Sequence, residues 1–151
     1  MQVVENEKKF LGDFIRLNEE WISTYFELEH ADLALAQDPY RIIEDGGYIF
    51  SLVYEGTVLG VCALFNEGHG VFEPARMAVS PNSQGSGFGD RLMQACLSKL
   101  DSVDAQKVYL LSNTKLEAAV ALYKKHGFKT VSQGPHPVYS RANIVMERDV
   151  S

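Results

Sequence analysis

The stretch Gln84-Gly85-Ser86-Gly87-Phe88-Gly89 constrains this chain more than any other. It separates a strand-like run, VFEPARMAVSP, from an amphipathic run, DRLMQACLSKL. Glycines at alternate positions free the backbone to take positive φ and to approach a bulky anion closely. The helix that follows adds orphan amide donors and the positive end of its dipole. The segment reads as a phosphate cradle, and the fold must bring a strand into the turn and carry a helix out of it.

The residues before the cradle set the kind of sheet. YIFSLVY and TVLGVCALF are strand-like and separated by Glu55-Gly56, a tight hairpin turn. Asn66 to Gly70 is a second turn cluster, with His69 facing solvent, and leads into a strand over 71–79. Three antiparallel strands in sequence are expected, closed by Pro81, which cannot continue a central strand. Ahead of them, Phe10, Phe14, Leu17, Trp21, Tyr25 and Leu28 recur at spacings of three and four and predict one amphipathic helix. Short helices follow over 31–36, with Asp32 favouring the dipole near the start, and over 40–44 before Gly46-Gly47.

After the cradle, Leu92, Met93, Cys96, Leu97 and Leu100 form one helix face. Residues 107–111 read as a buried strand and 116–125 as a helix stopped by Gly127, with His126 complementing its C-terminus. Strands from Phe128 to Val131 and from Ala142 to Glu147 complete a mixed α/β (α+β) arrangement, a central sheet covered by helices.

With 151 residues and 46% hydrophobic content, one domain spanning 1–151 is expected. The formal net charge of -6 argues against nucleic-acid and anionic-membrane partners and mildly favours cationic acceptors such as amines. No apolar run approaches a membrane span and MQVVENEKKF lacks a signal-peptide core, so a cytoplasmic location is expected. Cys62 and Cys96 have neither CxxC spacing nor a histidine at ligand spacing; they read as small core residues, and no metal site is expected.

Spacing narrows the ligand of the cradle. A P-loop needs GxxxxGK followed by Ser or Thr, which is absent. A dinucleotide fingerprint needs GxGxxG in a parallel βαβ unit, whereas this chain has GxGxG after strands that read as antiparallel. The stretch does match QxxGxG, and RMAVSPNSQGSGFGDRLM followed by LEAAVALYKKHGF resembles the GNAT superfamily of N-acetyltransferases, of the bacterial single-domain type. The likeness covers essentially the whole order of elements. It implies a mixed, mostly antiparallel sheet splayed open beside the third antiparallel strand, with acetyl-CoA as cosubstrate in the gap.

The resemblance implies roles position by position. Gln84, Gly85, Ser86, Gly87, Phe88 and Gly89 fall on the pyrophosphate turn. Met77 and Val79 fall on the strand whose backbone pairs with the pantetheine arm, and an amide near Met77 or Ala78 falls where an oxyanion would be held. Tyr123 falls beside the thioester sulfur, as acid for the departing thiolate. The family's usual Asn lies seven residues before that tyrosine, where this chain has Leu116; Asn113, three residues earlier, is an alternative contact to pantetheine or acceptor. Pro74 lies within the flanking strand and requires a bulge or an edge position.

Attack by an amine requires loss of its proton, because an ammonium has no lone pair to offer. Glu73 is the candidate base: simple alternation places it with Ala75, Met77 and Val79, apolar company that raises a carboxylate's pKa, and a bulge at Pro74 would change that parity. Tyr25, Phe26 and Tyr139 are candidate acceptor walls, and Arg141 is a candidate partner for an acceptor carboxylate. Neither cysteine has a base partner, so direct attack in a ternary complex on behalf of a primary amine of a small molecule or peptide is the leading expectation. A non-catalytic acyl-CoA-binding sensor and a transferase of longer acyl groups are the alternatives. A homodimer is compatible with all of them.

Overall fold

The structure, a computed structural model, describes residues 1–136 and 140–150. Its centre is a seven-stranded sheet of order β1-β2-β3-β4-β5-β7-β6. The strands are β1 (Gln2–Glu5), β2 (Tyr48–Tyr54), β3 (Thr57–Asn66), β4 (Val71–Val79), β5 (Lys107–Ser112), β6 (Lys129–Gln133) and β7 (Ile144–Arg148). The β4–β5 pair is parallel and every other pair antiparallel. Five helices cover it: α1 (Leu11–Tyr25), α2 (His30–Gln37), α3 (Arg41–Glu44), α4 (Phe88–Ser102) and α5 (Glu117–Lys125).

Alternation along the strands divides the core in two. Phe50, Leu52, Cys62, Leu64 and Phe72 pack with Leu92, Met93, Cys96 and Leu100 of α4. The intervening residues Ile49, Val61, Ala63 and Ala78 pack with Phe14 and Leu17 of α1 on the other face. The expected hairpin is present: Glu55 at φ 49° and Gly56 at φ 78° are both left-handed, the signature of the turn whose twist suits two antiparallel strands.

Only β1 escaped the sequence pattern. QVVE is too short to show a period, and it becomes a strand through pairing with β2, Gln2 opposite Val53 through Glu5 opposite Phe50. The predicted aromatic stripe splits. Phe14 and Leu17 are buried, whereas Tyr25 is exposed at the end of α1 and Leu28 lies beyond it, also exposed.

The stop at Gly127 is a Schellman arrangement, with Phe128 N–H donating to Tyr123 O and Gly127 N–H to Lys124 O, both at 3.0 Å. Gly127 takes φ 90° there. The accompanying apolar contact is an edge-on pair of Tyr123 and Phe128, with centroids 6.3 Å apart. The helix end thereby fixes the ring of Tyr123.

Candidate active site

The sheet opens between β4 and β5. Their pairing comprises Val71 opposite Lys107 and Phe72 opposite Val108, and then stops. Lys107 N–H donates to Gly70 O, so the even-numbered backbone groups of this part of β4 face β5. Pro74 is next in that series. Its missing amide leaves β5 without a donor to pair with, and the ladder ends immediately before it. Pro74 is thus accommodated by an open edge, not by a bulge at its own position.

The bulge lies two residues further on. Ala75 opposes Ala63 and Ala78 opposes Val61, so Arg76 and Met77 together oppose Cys62. Arg76 takes φ 59° to make this turn. The extra residue reverses parity, which corrects the simple alternation of the sequence reading. Glu73 shares the α1 face with Phe65 opposite it, while Met77 and Val79 join the α4 face with Phe72. Ser80 N–H donates to Leu59 O at 2.8 Å, so beyond the bulge the even-numbered backbone faces β3. Met77 and Val79 consequently turn their peptide groups toward the gap. Ala78, expected among the donors, is buried against α1 and turns its backbone to β3.

The gap is a cleft of about 760 Å³. Gln84, Gly85, Gly87, Phe88 and Gly89 line one part of it, and Glu73, Met77, Val79, Asn113 and Tyr123 line the rest. Ser86 stands exposed on the turn outside that lining. Gly85 and Gly87 both take φ 80°, and Gly87 caps α4. A Cβ at Gly89 would lie 3.3 Å from Leu122 Cδ2 and 3.5 Å from Met77 Sδ, so glycine keeps the floor of the cradle open. Asp90 follows in the first turn of α4, where a carboxylate would repel a phosphate. Lys125 Nζ at 2.9 Å and His126 Nε2 at 2.7 Å engage its Oδ1, and these bonds hold its pKa below the ordinary value.

Glu73 is 7% exposed. Burial and then the charge of Glu67 push its pKa up to about 7, against the opposing influence of Tyr109 and Arg76. The Tyr109 hydroxyl donates to Glu67 Oε2 and lies 3.4 Å from Glu73 Oε1. Tyr123 packs its ring against the α4 side, and burial followed by the nearby Cys62 and Cys96 raises its pKa, so it remains a phenol. Those two cysteines, unrelated in sequence, meet with Sγ atoms 3.6 Å apart. Asn113 is occupied locally: its Nδ2 donates to Arg141 O at 2.7 Å and its Oδ1 accepts from Lys115 N at 3.0 Å.

On the α1 side, Trp21, Tyr25 and Phe26 cluster, with Trp21 ring centroids 5.2 Å and 5.9 Å from the other two. All three line the cleft. Lys115 Nζ lies 4.0 Å from the Phe26 ring centroid and tethers this rim to the loop after β5. Arg141 also lines the cleft and makes the bidentate bond its chemistry suits, but to Asp32 within the chain, at 2.7 Å and 2.6 Å. Tyr139 lies outside the described residues.

Asp32 is the node of a buried ionic group. It forms a capping box with Glu29 at the start of α2 and also pairs with Arg76 at the bulge. Burial raises its pKa, but bonds from Arg141, the Glu29 amide and Arg76 outweigh it and bring the value to about 2. Tyr109, Glu67 and the Asp32–Arg76 pair were missed by sequence reasoning, whereas Trp21 belongs to the aromatic stripe that the sequence predicts for the first helix. Odd-numbered positions on β5 place Tyr109 on the face of Glu73, a signal available only once the strand order is known.

Known proteins with the same architecture share little sequence with the chain. An acetyltransferase of the GNAT family from Staphylococcus aureus Mu50 superposes with TM-score 0.87 at 14% identity, over 99% of each chain. Ribosomal-protein-alanine N-acetyltransferase from Brucella melitensis gives 0.80 at 14%, over 98% of this chain and 99% of that one. A GNAT superfamily phosphinothricin acetyltransferase from Sinorhizobium meliloti, in complex with AcCoA, gives 0.78 at 16%, over 97% and 86%. At these identities the likeness establishes the fold. No curated protein matches in sequence. Among the described residues no helix is long and apolar enough to cross a membrane, and no group of three or more His, Cys, Asp or Glu could hold a metal ion. The family model for the acetyltransferase (GNAT) family matches residues 14–128, most of the chain, and the protein belongs to that family of acyltransferases.

Proposed function

We propose that the protein transfers an acetyl group from acetyl-CoA to a primary amine of a small molecule or peptide, by direct attack in a ternary complex. The observation that carries this reading is the convergence of the glycine turn, Glu73 and Tyr123 on one cleft at the point where β4 and β5 part. The cradle fits the cosubstrate: Gly85 and Gly87 supply left-handed backbone, and Gly89 leaves room that a Cβ would fill. Acetyl-CoA supplies the activated acetyl thioester.

The chain's own residues supply the rest. Amides of Gln84 to Gly89 hold pyrophosphate, and the outward-turned peptides of Met77 and Val79 pair with an extended arm as an added strand would. Met77 N–H is the donor best aimed at charge developing on the carbonyl oxygen. Glu73, poised near neutrality, takes the proton from the amine. Tyr123, held by the Schellman end of α5, returns a proton to the departing sulfur. Trp21, Tyr25 and Phe26 form the wall against which the acceptor lies.

Arg141, engaged by Asp32 and Glu29, acts as a strut of this wall. A cytoplasmic, single-domain enzyme is the corresponding cellular reading. Thermal denaturation with acetyl-CoA tests the donor half: saturating cosubstrate raises the midpoint, equally in the Glu73→Gln variant. A midpoint indifferent to acetyl-CoA overturns the proposal.

A further inference from the structure

Glu73 lines the cleft, whereas Tyr109 and Glu67, its hydrogen-bonded neighbours, lie behind it and outside the lining. Burial falls along the same line: Glu73 is buried, Tyr109 half-buried and Glu67 exposed. A phenol has one proton to give, and the Tyr109 hydroxyl stands within reach of two carboxylates, closer to Glu67 Oε2 than to Glu73 Oε1. While Glu73 is ionised the same hydroxyl is shared with Glu73 Oε1, 3.4 Å away, and that donation lowers the Glu73 pKa. An ionised Glu73 thus competes with Glu67 for the one phenolic proton. A protonated Glu73 completes a chain of donors running from the cleft to the surface. The three groups therefore form one continuous hydrogen-bonding path from the cleft to solvent.

We infer that Tyr109 and Glu67 are the exit route for the proton Glu73 removes from the acceptor, returning the base to its carboxylate form between turnovers. This inference rests on Glu73 acting as the base. The O–H bond at Glu73 breaks as one forms at Tyr109 Oη; the original O–H of Tyr109 breaks as one forms at Glu67. Tyr109 ends as the neutral phenol it began as. Glu67, in contact with solvent, releases the proton to water, so one proton leaves the interior and no other group changes state. Tyr109 has its pKa raised, first by burial and then by Glu67, so the two transfers are coupled and do not pass through a free phenolate. Tyr109 and Glu67 are positioning residues in this scheme; neither touches the acceptor.

Every charged group around the relay enters its pH response. Glu67 comes from the turn after β3, Arg76 from Glu73's own strand, and Tyr109 and Lys107 from β5. Glu147 of β7 lies opposite Tyr109 and reaches Lys107 at 3.9 Å. From α1 the cleft receives uncharged Asn18 and Trp21. The Glu67 charge raises the Glu73 pKa and the Tyr109 bond lowers it, so removing them has opposite consequences.

The test is a carboxyl-carbon NMR titration of the full chain, which needs no acceptor. Glu73 is identified as the resonance lost in Glu73→Gln. Glu67→Gln lowers the Glu73 midpoint and Tyr109→Phe raises it, each by about half a pH unit or more; an unmoved midpoint, or movement in one direction for both, overturns the relay. Thiol release from acetyl-CoA with a panel of primary amines supplies the second readout. In dilute buffer Tyr109→Phe and Glu67→Gln lower kcat about tenfold with KM for acetyl-CoA unchanged, and concentrated imidazole restores it. Unaltered kcat in both variants, with Glu73→Gln inactive, sinks the relay alone. Full turnover in Glu73→Gln sinks the base assignment beneath it.

Discussion

The two sides of the cleft are built in different ways. The side proposed to hold acetyl-CoA, the donor side, is mostly backbone: a glycine turn, the first amides of α4, and a strand whose peptides face outward because of Pro74 and the bulge at Arg76. The side proposed to take the amine is mostly side chains, Glu73, Trp21 and Arg141 at the lining with Tyr109 and Asp32 behind them, delivered by elements far apart in the chain. A backbone site must be written locally, since only certain residues permit the required φ. A side-chain site is written nowhere in particular; the strand order assembles it.

The contrast predicts separable failures. The largest is at the boundary itself: Glu73→Gln lowers turnover by about 10²- to 10⁴-fold while acetyl-CoA affinity, measured calorimetrically, stays within about twofold, because the donor side does not use that carboxylate. Comparable losses of both would break the division.

Next comes the ionic node. Asp32→Ala leaves Arg76 and Arg141 beside a buried void and costs about 3 to 5 kcal/mol in urea unfolding. In the unaltered protein, the depressed Asp32 pKa contributes about 2 kcal/mol that is present above pH 4 and fades as pH falls from about 4 to 2. An Asp32→Ala variant as stable as its parent at neutral pH would show that the node carries no load.

Glu73 has the opposite sign. Its raised pKa means that the folded state binds the extra proton, so stability declines as pH rises from about 4.5 through 7. Glu73→Gln removes this and raises stability at pH 8, on the order of 2 kcal/mol, with little change at pH 4. Equal effects at both pH values would mean that the carboxylate is solvated.

The smallest effect is on the donor side. Gly87→Ala forces a methyl-bearing residue into φ 80° and costs about 1 to 2 kcal/mol of stability, together with weaker acetyl-CoA binding and an undiminished dependence of rate on Glu73.

Particular residues show what a sequence can carry. Gly85, Gly87 and Gly127 were legible because left-handed backbone selects glycine, and Glu55-Gly56 because its turn type does. Cys62 and Cys96 read correctly as buried, yet their meeting at 3.6 Å required knowing that α4 lies on β3. Asp32 was legible as a helix-start residue, but its partners lie 44 and 109 residues away. Proline announces an interruption, so Pro74 asks for a bulge or an edge, and it receives the open edge. Arg76 makes the actual turn, in a conformation its own residue type does nothing to advertise.

Thiol release from acetyl-CoA, followed from about pH 5.5 to 9 with a panel of primary amines, tests the central claim most directly. Glu73 as the base predicts a kcat/KM that rises through a limb near pH 7, well above a free glutamate and well below a lysine-like amine, and that loses this limb together with most of its rate in Glu73→Gln. A pH profile shared by the two proteins would contradict it.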